Sequence, residues 1–100
     1  MRVIKNLSKQ MCEEIDTVLC YAIDALEYRE SDPELANVYH KLAEIEYGHA
    51  IELHKQAVRK VEEFKDIQKN VPDFMLDRWQ EAHEKVIKKA EKAKLYLDLW

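Results

Sequence analysis

The chain has one glycine, two prolines and two cysteines among its 100 residues, and each scarcity closes off a class of structure. Glycine-rich phosphate loops and tight hairpin turns need residues free to take positive φ, so a β-sandwich or a nucleotide-binding α/β fold is excluded. No Cys-x-x-Cys pair occurs, which removes rubredoxin-like and zinc-ribbon modules. Cys12 and Cys20 would stand on one helix about 12 Å apart along its axis, too far to bridge, and read as reduced thiols. Only three residues carry an aliphatic hydroxyl (Ser8, Thr17 and Ser31), and none sits on a sharp turn with a matched histidine, as a nucleophilic hydrolase would need. No run approaches the roughly 18 apolar residues of a membrane span, and the opening MRVIKNLSKQ has no signal-peptide core. The expectation is a cytoplasmic protein without a membrane partner. A net charge of −4 gives no attraction to nucleic acid either.

What remains is material for amphipathic helices, with 36% charged and 47% hydrophobic residues. A chain this short makes one domain, residues 1–100, whose single small core a second copy would help to complete. Helix 1 is expected over about 7–30, after a start signal at Asn6 or Ser8, with the stripe Leu7, Met11, Glu14, Val18, Tyr21, Ala25, Tyr28. Ser31-Asp32-Pro33-Glu34 then marks a boundary. Either Ser31 and Glu34 form a capping box, or Asp32 caps with Pro33 at the first helical position. Helix 2 is expected over about 33–69, and its length beyond helix 1 asks for another partner along its second half. Asn70-Val71-Pro72-Asp73 closes it, with Asn70 as a cap, and helix 3 is expected over about 72–99. Its stripe is Met75, Trp79, Ala82, Val86, Ala90, Ala93, Leu97, Trp100, and its apolar end LYLDLW suggests packing against another helix or subunit.

The informative stretch is LANVYHKLAEIEYGHAIEL, residues 35–53. Its apolar stripe, Leu35, Tyr39, Leu42, Glu46, His49, Leu53, carries an acid and an imidazole on the face expected to be buried. Burying a carboxylate without a partner is costly, and a metal ion or a hydrogen-bonded cation is the usual resolution. Glu-x-x-His places both side chains on one face, roughly 5–6 Å apart at Cβ, close enough to share an ion. A short connection makes helices 1 and 2 an antiparallel hairpin, in which residues equally far from the turn lie level. The midpoints of positions 14 and 49, and of 14 and 46, both fall on or beside the turn, so Glu14, Glu46 and His49 should converge. By contrast Glu81 and Glu84 lie on a polar face with Lys85 and Lys88 four residues on, the pattern of surface ion pairs. His40, His54 and His83 fall outside the convergence and read as surface or core-edge residues. Gly48, beside His49, leaves three readings open: close approach of a helix, room for a ligand, or chance.

Glu14 with Tyr21 seven residues on, followed by Glu46-Tyr47-Gly48-His49, resembles the first half of the ferritin-like di-iron carboxylate family, as in rubrerythrins. The segment Asp32-Pro33-Glu34-Leu35 leading to Glu46-x-x-His49 looks like encapsulated ferritins. The resemblance spans roughly residues 11–53. It implies an all-α fold in which two chains, each supplying a hairpin, complete a four-helix bundle as a homodimer or higher even oligomer, with metal at the interface. Carried over, Glu14 would be a terminal or bridging carboxylate, Glu46 a bridging one and His49 a terminal nitrogen ligand, with Tyr21 hydrogen-bonded to a ligand carboxylate. Two irons per dimer are implied, with zinc or manganese as alternatives because spacing does not select the metal. No catalytic residue is implied beyond the ligands.

Two departures limit the inference. A long third helix stands where encapsulated ferritins carry a short tail with a shell-targeting peptide, so an encapsulin shell is a doubtful partner. The rubredoxin half of a rubrerythrin is absent. The favoured expectation is thus a shared di-iron site that oxidises Fe(II) with O₂, a ferroxidase-type oxidoreductase. The alternative is a non-catalytic helical structural or adaptor protein, such as a phage or bacterial assembly factor, in which the Glu/His network sets register.

Overall fold

A computed structural model describes residues 2–67 and 73–100 as three helices, with no strand among them: α1 (Arg2–Tyr28), α2 (Pro33–Ile67) and α3 (Asp73–Asp98). The chain is a rod, 57 × 17 × 17 Å, its length set by the 35 residues of α2 at about 1.5 Å each. None of the described helices is long and apolar enough to cross a membrane. The expected Asn70 cap, the side chain of Met75, and the expected helix ends at positions 69 and 72 lie outside the described residues.

α1 begins at Arg2, five residues before the expected start at Leu7, because Ile4 continues the apolar stripe and is buried. That extra turn and a half covers part of the overhang of α2, which was expected to need a separate partner. α1 and α2 lie side by side as an antiparallel hairpin, joined by a turn in which Asp32 N–H donates to Tyr28 O (2.9 Å). Asp32 then caps α2: its Oδ1 accepts from Leu35 N–H at 3.2 Å, and its carbonyl accepts from Ala36 N–H at 3.0 Å. Of the two capping schemes, the Asp32–Pro33 one is formed.

The seam of the hairpin corrects the expectation for helix 2. The residues of α2 buried against its neighbours are Ala36, Ala43, Ala50 and Ala57, spaced by heptads, with Val61 beyond them. The heavier stripe, Leu35 to Leu53, runs along the flank: Leu35 is exposed, and Tyr39, Leu42, Glu46 and Leu53 are half-buried. A helix pair approaches most closely where side chains are smallest, so alanine takes the contact line and larger groups are displaced to either side of it. From α1, Met11, Ile15, Val18, Ala22 and Ala25 fill the seam. Met11 and Val18 are fully buried, each contributing about 1.5–3 kcal/mol by removal from water.

α3 packs chiefly on α1 and touches α2 only sparsely. Val86, Ala93 and Leu97 are its buried positions. Lys89 Nζ meets Asp16 Oδ1 of α1 at 3.1 Å, and Arg29 Nη1 donates to Leu99 O at 3.2 Å. The apolar terminus docks back in part: Leu97 is buried and the Trp100 ring lies parallel to that of His40, centroids 4.7 Å apart, while Leu95 and Leu99 are exposed. Glu81, Glu84, Lys85 and Lys88 are exposed, as their polar face requires. Cys12 and Cys20 are both free thiols.

Candidate metal centre

Glu14 of α1 and Glu46 and His49 of α2 come together on one edge of the hairpin. One ligand atom from each lies within 4.8 Å of the other two. The convergence follows from antiparallel register: a capped, short turn fixes how the helices slide past each other, and the alanine seam fixes their separation. His49 Nδ1 lies 3.8 Å from Glu46 Oε2 across one helical turn.

The three groups differ in exposure. Glu14 and Glu46 are half-buried, while the His49 side chain is 60% exposed. The expectation that acid and imidazole lie on the buried face is therefore corrected: they occupy the rim of the hairpin, with the alanine seam beneath. Glu14 reaches furthest in, and its Oε2 is shielded from solvent with no hydrogen-bond partner. The facing group is another carboxylate, and two ionised carboxylates are both acceptors only. Its pKa is raised above the ordinary 4.5, first by the hydrogen bond to Glu46 that only a protonated form can make, then by burial and by the negative charge of Glu46, with His49 pulling the other way. Unsatisfied buried oxygen, a second carboxylate and an imidazole together form a donor set suited to a cation.

Tyr21 stands seven residues from Glu14, towards the turn, and is held through its ring. It lies against Tyr39, with centroids 6.0 Å apart, and Tyr39 in turn stacks on Tyr28 at 6.1 Å. The carboxylate hydrogen bond that the resemblance implies for Tyr21 is not among those formed by the described residues. A Cβ added to Gly48 would meet nothing within 4 Å among the described residues, so none of the described helices approaches it closely.

On the same side of α2 as the site, Val38, Leu42, Ile45 and His49 fall into one stripe at alternating four- and three-residue steps. Leu35, Val38 and Ile45 are 36%, 48% and 54% exposed. An uncovered apolar strip thus borders the ligands.

One arrangement went unread in the sequence. His54 and His83, expected at the surface or core edge, are half-buried and meet across α2 and α3 with their Nε2 atoms 2.6 Å apart. The level rule that united Glu14 with Glu46 would have found them, since the midpoint of 54 and 83 falls between Ile67 and Asp73. No protein-family model, curated protein or solved structure matches the chain. The reading of its function rests on the site itself.

Proposed function

We propose that the chain is a ferritin-like metal-binding protein whose hairpin supplies half of a dinuclear carboxylate site, completed by the same residues of a second copy. The observation that carries this is the orphaned Oε2 of Glu14, set against Glu46 and His49 at the rim of an uncovered apolar strip. One chain offers two carboxylates and one imidazole, too few for two ions. Two chains related by a two-fold axis offer four carboxylates and two imidazoles, the set that holds metal pairs in four-helix bundles.

In this reading Glu14, whose Oε2 is shielded from solvent, would hold an ion together with Glu46 and His49, and His49, exposed in the single chain, would be covered by the partner. The ring contacts of Tyr21, Tyr39 and Tyr28 fill the hairpin between the site and the turn. Fe(II) is the substrate the oxygen-rich set suits best, and its oxidation by O₂ is the chemistry a pair of such ions supplies. Zn²⁺ or Mn²⁺ fits the same donors.

The test is metal content and oligomeric state measured together after anaerobic incubation with Fe(II), for wild type, Glu46→Ala and His49→Ala. The proposal expects about one iron per chain in an even-numbered oligomer, with metal lost in both variants while helicity is kept. An intact oligomer that takes up no specific metal would instead identify a helical structural or adaptor protein with a Glu/His network at its interface.

A further inference from the structure

Among the described residues, the close polar contact between α2 and α3 is made by two side chains of a kind that bind metals, on the opposite flank of α2 from the site above. His54 and His83 stand 29 residues apart in sequence, and their rings are nearly parallel, inclined by 10° with centroids 4.8 Å apart. That separation is close to the 2.6 Å between the Nε2 atoms plus the two ring radii. The rings therefore meet edge to edge, each nitrogen aimed at the other. A neutral pair can fill this contact with only one proton, because one Nε2 must be a donor and its partner a bare acceptor. The nitrogens are closer than the usual 2.9–3.0 Å of an N–H donor to its acceptor, so two convergent ligand atoms stand within reach of one ion.

His83 is held in place. The Trp79 ring lies parallel to it at 5.0 Å, and Trp79 is itself packed against the core cluster of Met11, Ala57 and Val86. His54 borders a cavity of about 530 Å³ that opens along α2 and α3, walled by Ile51, Val86, Ile87 and Leu95. An ion between the imidazoles would thus have two nitrogens on one side and water from the groove on the other.

We propose that His54 and His83 form a second metal site, independent of Glu14, Glu46 and His49, for a nitrogen-preferring divalent ion of the Cu²⁺, Ni²⁺ or Zn²⁺ class. Imidazole is the ligand these ions share, whereas an all-nitrogen pair with no carboxylate is a poor site for hard ions such as Mg²⁺ or Mn²⁺. At the usual 2.0–2.1 Å bond length, two nitrogens on one tetrahedral ion stand about 3.3 Å apart, so the pair must open by about 0.7 Å from its 2.6 Å contact. α3 rests on α1 and touches α2 sparsely, so little packing resists that movement. Burial first, and then the neighbouring imidazole, push the pKa of His83 below its usual 6.5, with Glu84 pulling the other way, which favours the neutral, ligating form. Metal binding would then tie α3 to α2 where packing does not.

The stacked indole supplies the readout. In a Trp100→Phe background Trp79 is the only tryptophan, and Cu²⁺ held by His83 would quench its fluorescence. Titration of the full chain with Cu²⁺ should give saturable quenching at about one ion per chain, reversed by a chelator. It should persist in Glu46→Ala/His49→Ala and vanish in His54→Gln, which leaves the Trp79–His83 stack in place. Saturable quenching that survives His54→Gln, or none at all in a chain whose helicity is unchanged, overturns the second site. Loss of the first site alone, in the Glu46→Ala/His49→Ala variant, leaves this outcome untouched.

Discussion

At the scale of single residues, the state of Glu14 makes the metal-free chain sensitive to pH. Its carboxyl faces Glu46, and the raised pKa means that the folded chain holds a proton there more tightly than the unfolded one. For an acid shifted upward, the stabilisation is fully present below the unfolded pKa, near 4.5, and is lost as pH rises through the folded value. Metal-free protein should therefore unfold more readily at pH 7 than at pH 5. Glu14→Gln, which supplies an amide donor to Glu46 at every pH, should flatten that slope and stabilise the metal-free chain at pH 7. Urea denaturation at the two pH values, with chelator present, checks both. If Glu14→Gln destabilises the metal-free chain at pH 7, the carboxylate pair is not repulsive. The same substitution should weaken Fe(II) binding, a trade of stability for function that a purely structural polar network has no reason to show.

At the scale of elements, the α1–α2 turn decides whether the site exists, because it fixes the register that brings position 14 level with positions 46 and 49. Asp32 provides the cap, whereas Ser31 is exposed beyond it. Asp32→Ala should cost about 1 kcal/mol, and Ser31→Ala close to nothing, in thermal or chemical unfolding. Equal losses would mean that a capping box competes in solution. Much of this element was legible in the sequence, since Asp-Pro before an apolar run narrows the cap to two schemes, and symmetry about the turn locates the convergence. The seam was harder to read. Heptad alanines and a heavier stripe lie on adjacent flanks of α2, and hydropathy favours the heavier one, while close helix approach favours the smaller. Burial of Ala36, Ala43, Ala50 and Ala57 records that steric preference winning. The His54–His83 contact is hidden for another reason: it depends on how α3 lies against α2, which the pattern of neither helix alone contains.

At the scale of the whole molecule, what is uncovered says more than what is packed. Beside the candidate centre, Leu35, Val38 and Ile45 hold apolar surface in water, and a single chain gains nothing from placing them there. A two-fold partner laid along this strip would bury them, cover the exposed imidazole of His49 and bring a second Glu14–Glu46–His49 set alongside the first. Assembly and metal capacity are then one property. Ile45→Glu tests the link, because it places a charge at the most exposed of the three, on the outer side of α2 and away from the alanine seam, so the hairpin itself should fold. Light scattering after size exclusion should show a shift from an even-numbered oligomer to monomer, with helicity unchanged. Bound iron should fall with it, although no ligand has been altered. A monomeric Ile45→Glu variant that keeps its full iron content would show that one hairpin suffices and that the strip serves another purpose. An oligomer that survives the charge would place the interface elsewhere, with the open groove between α2 and α3 as the next surface to alter.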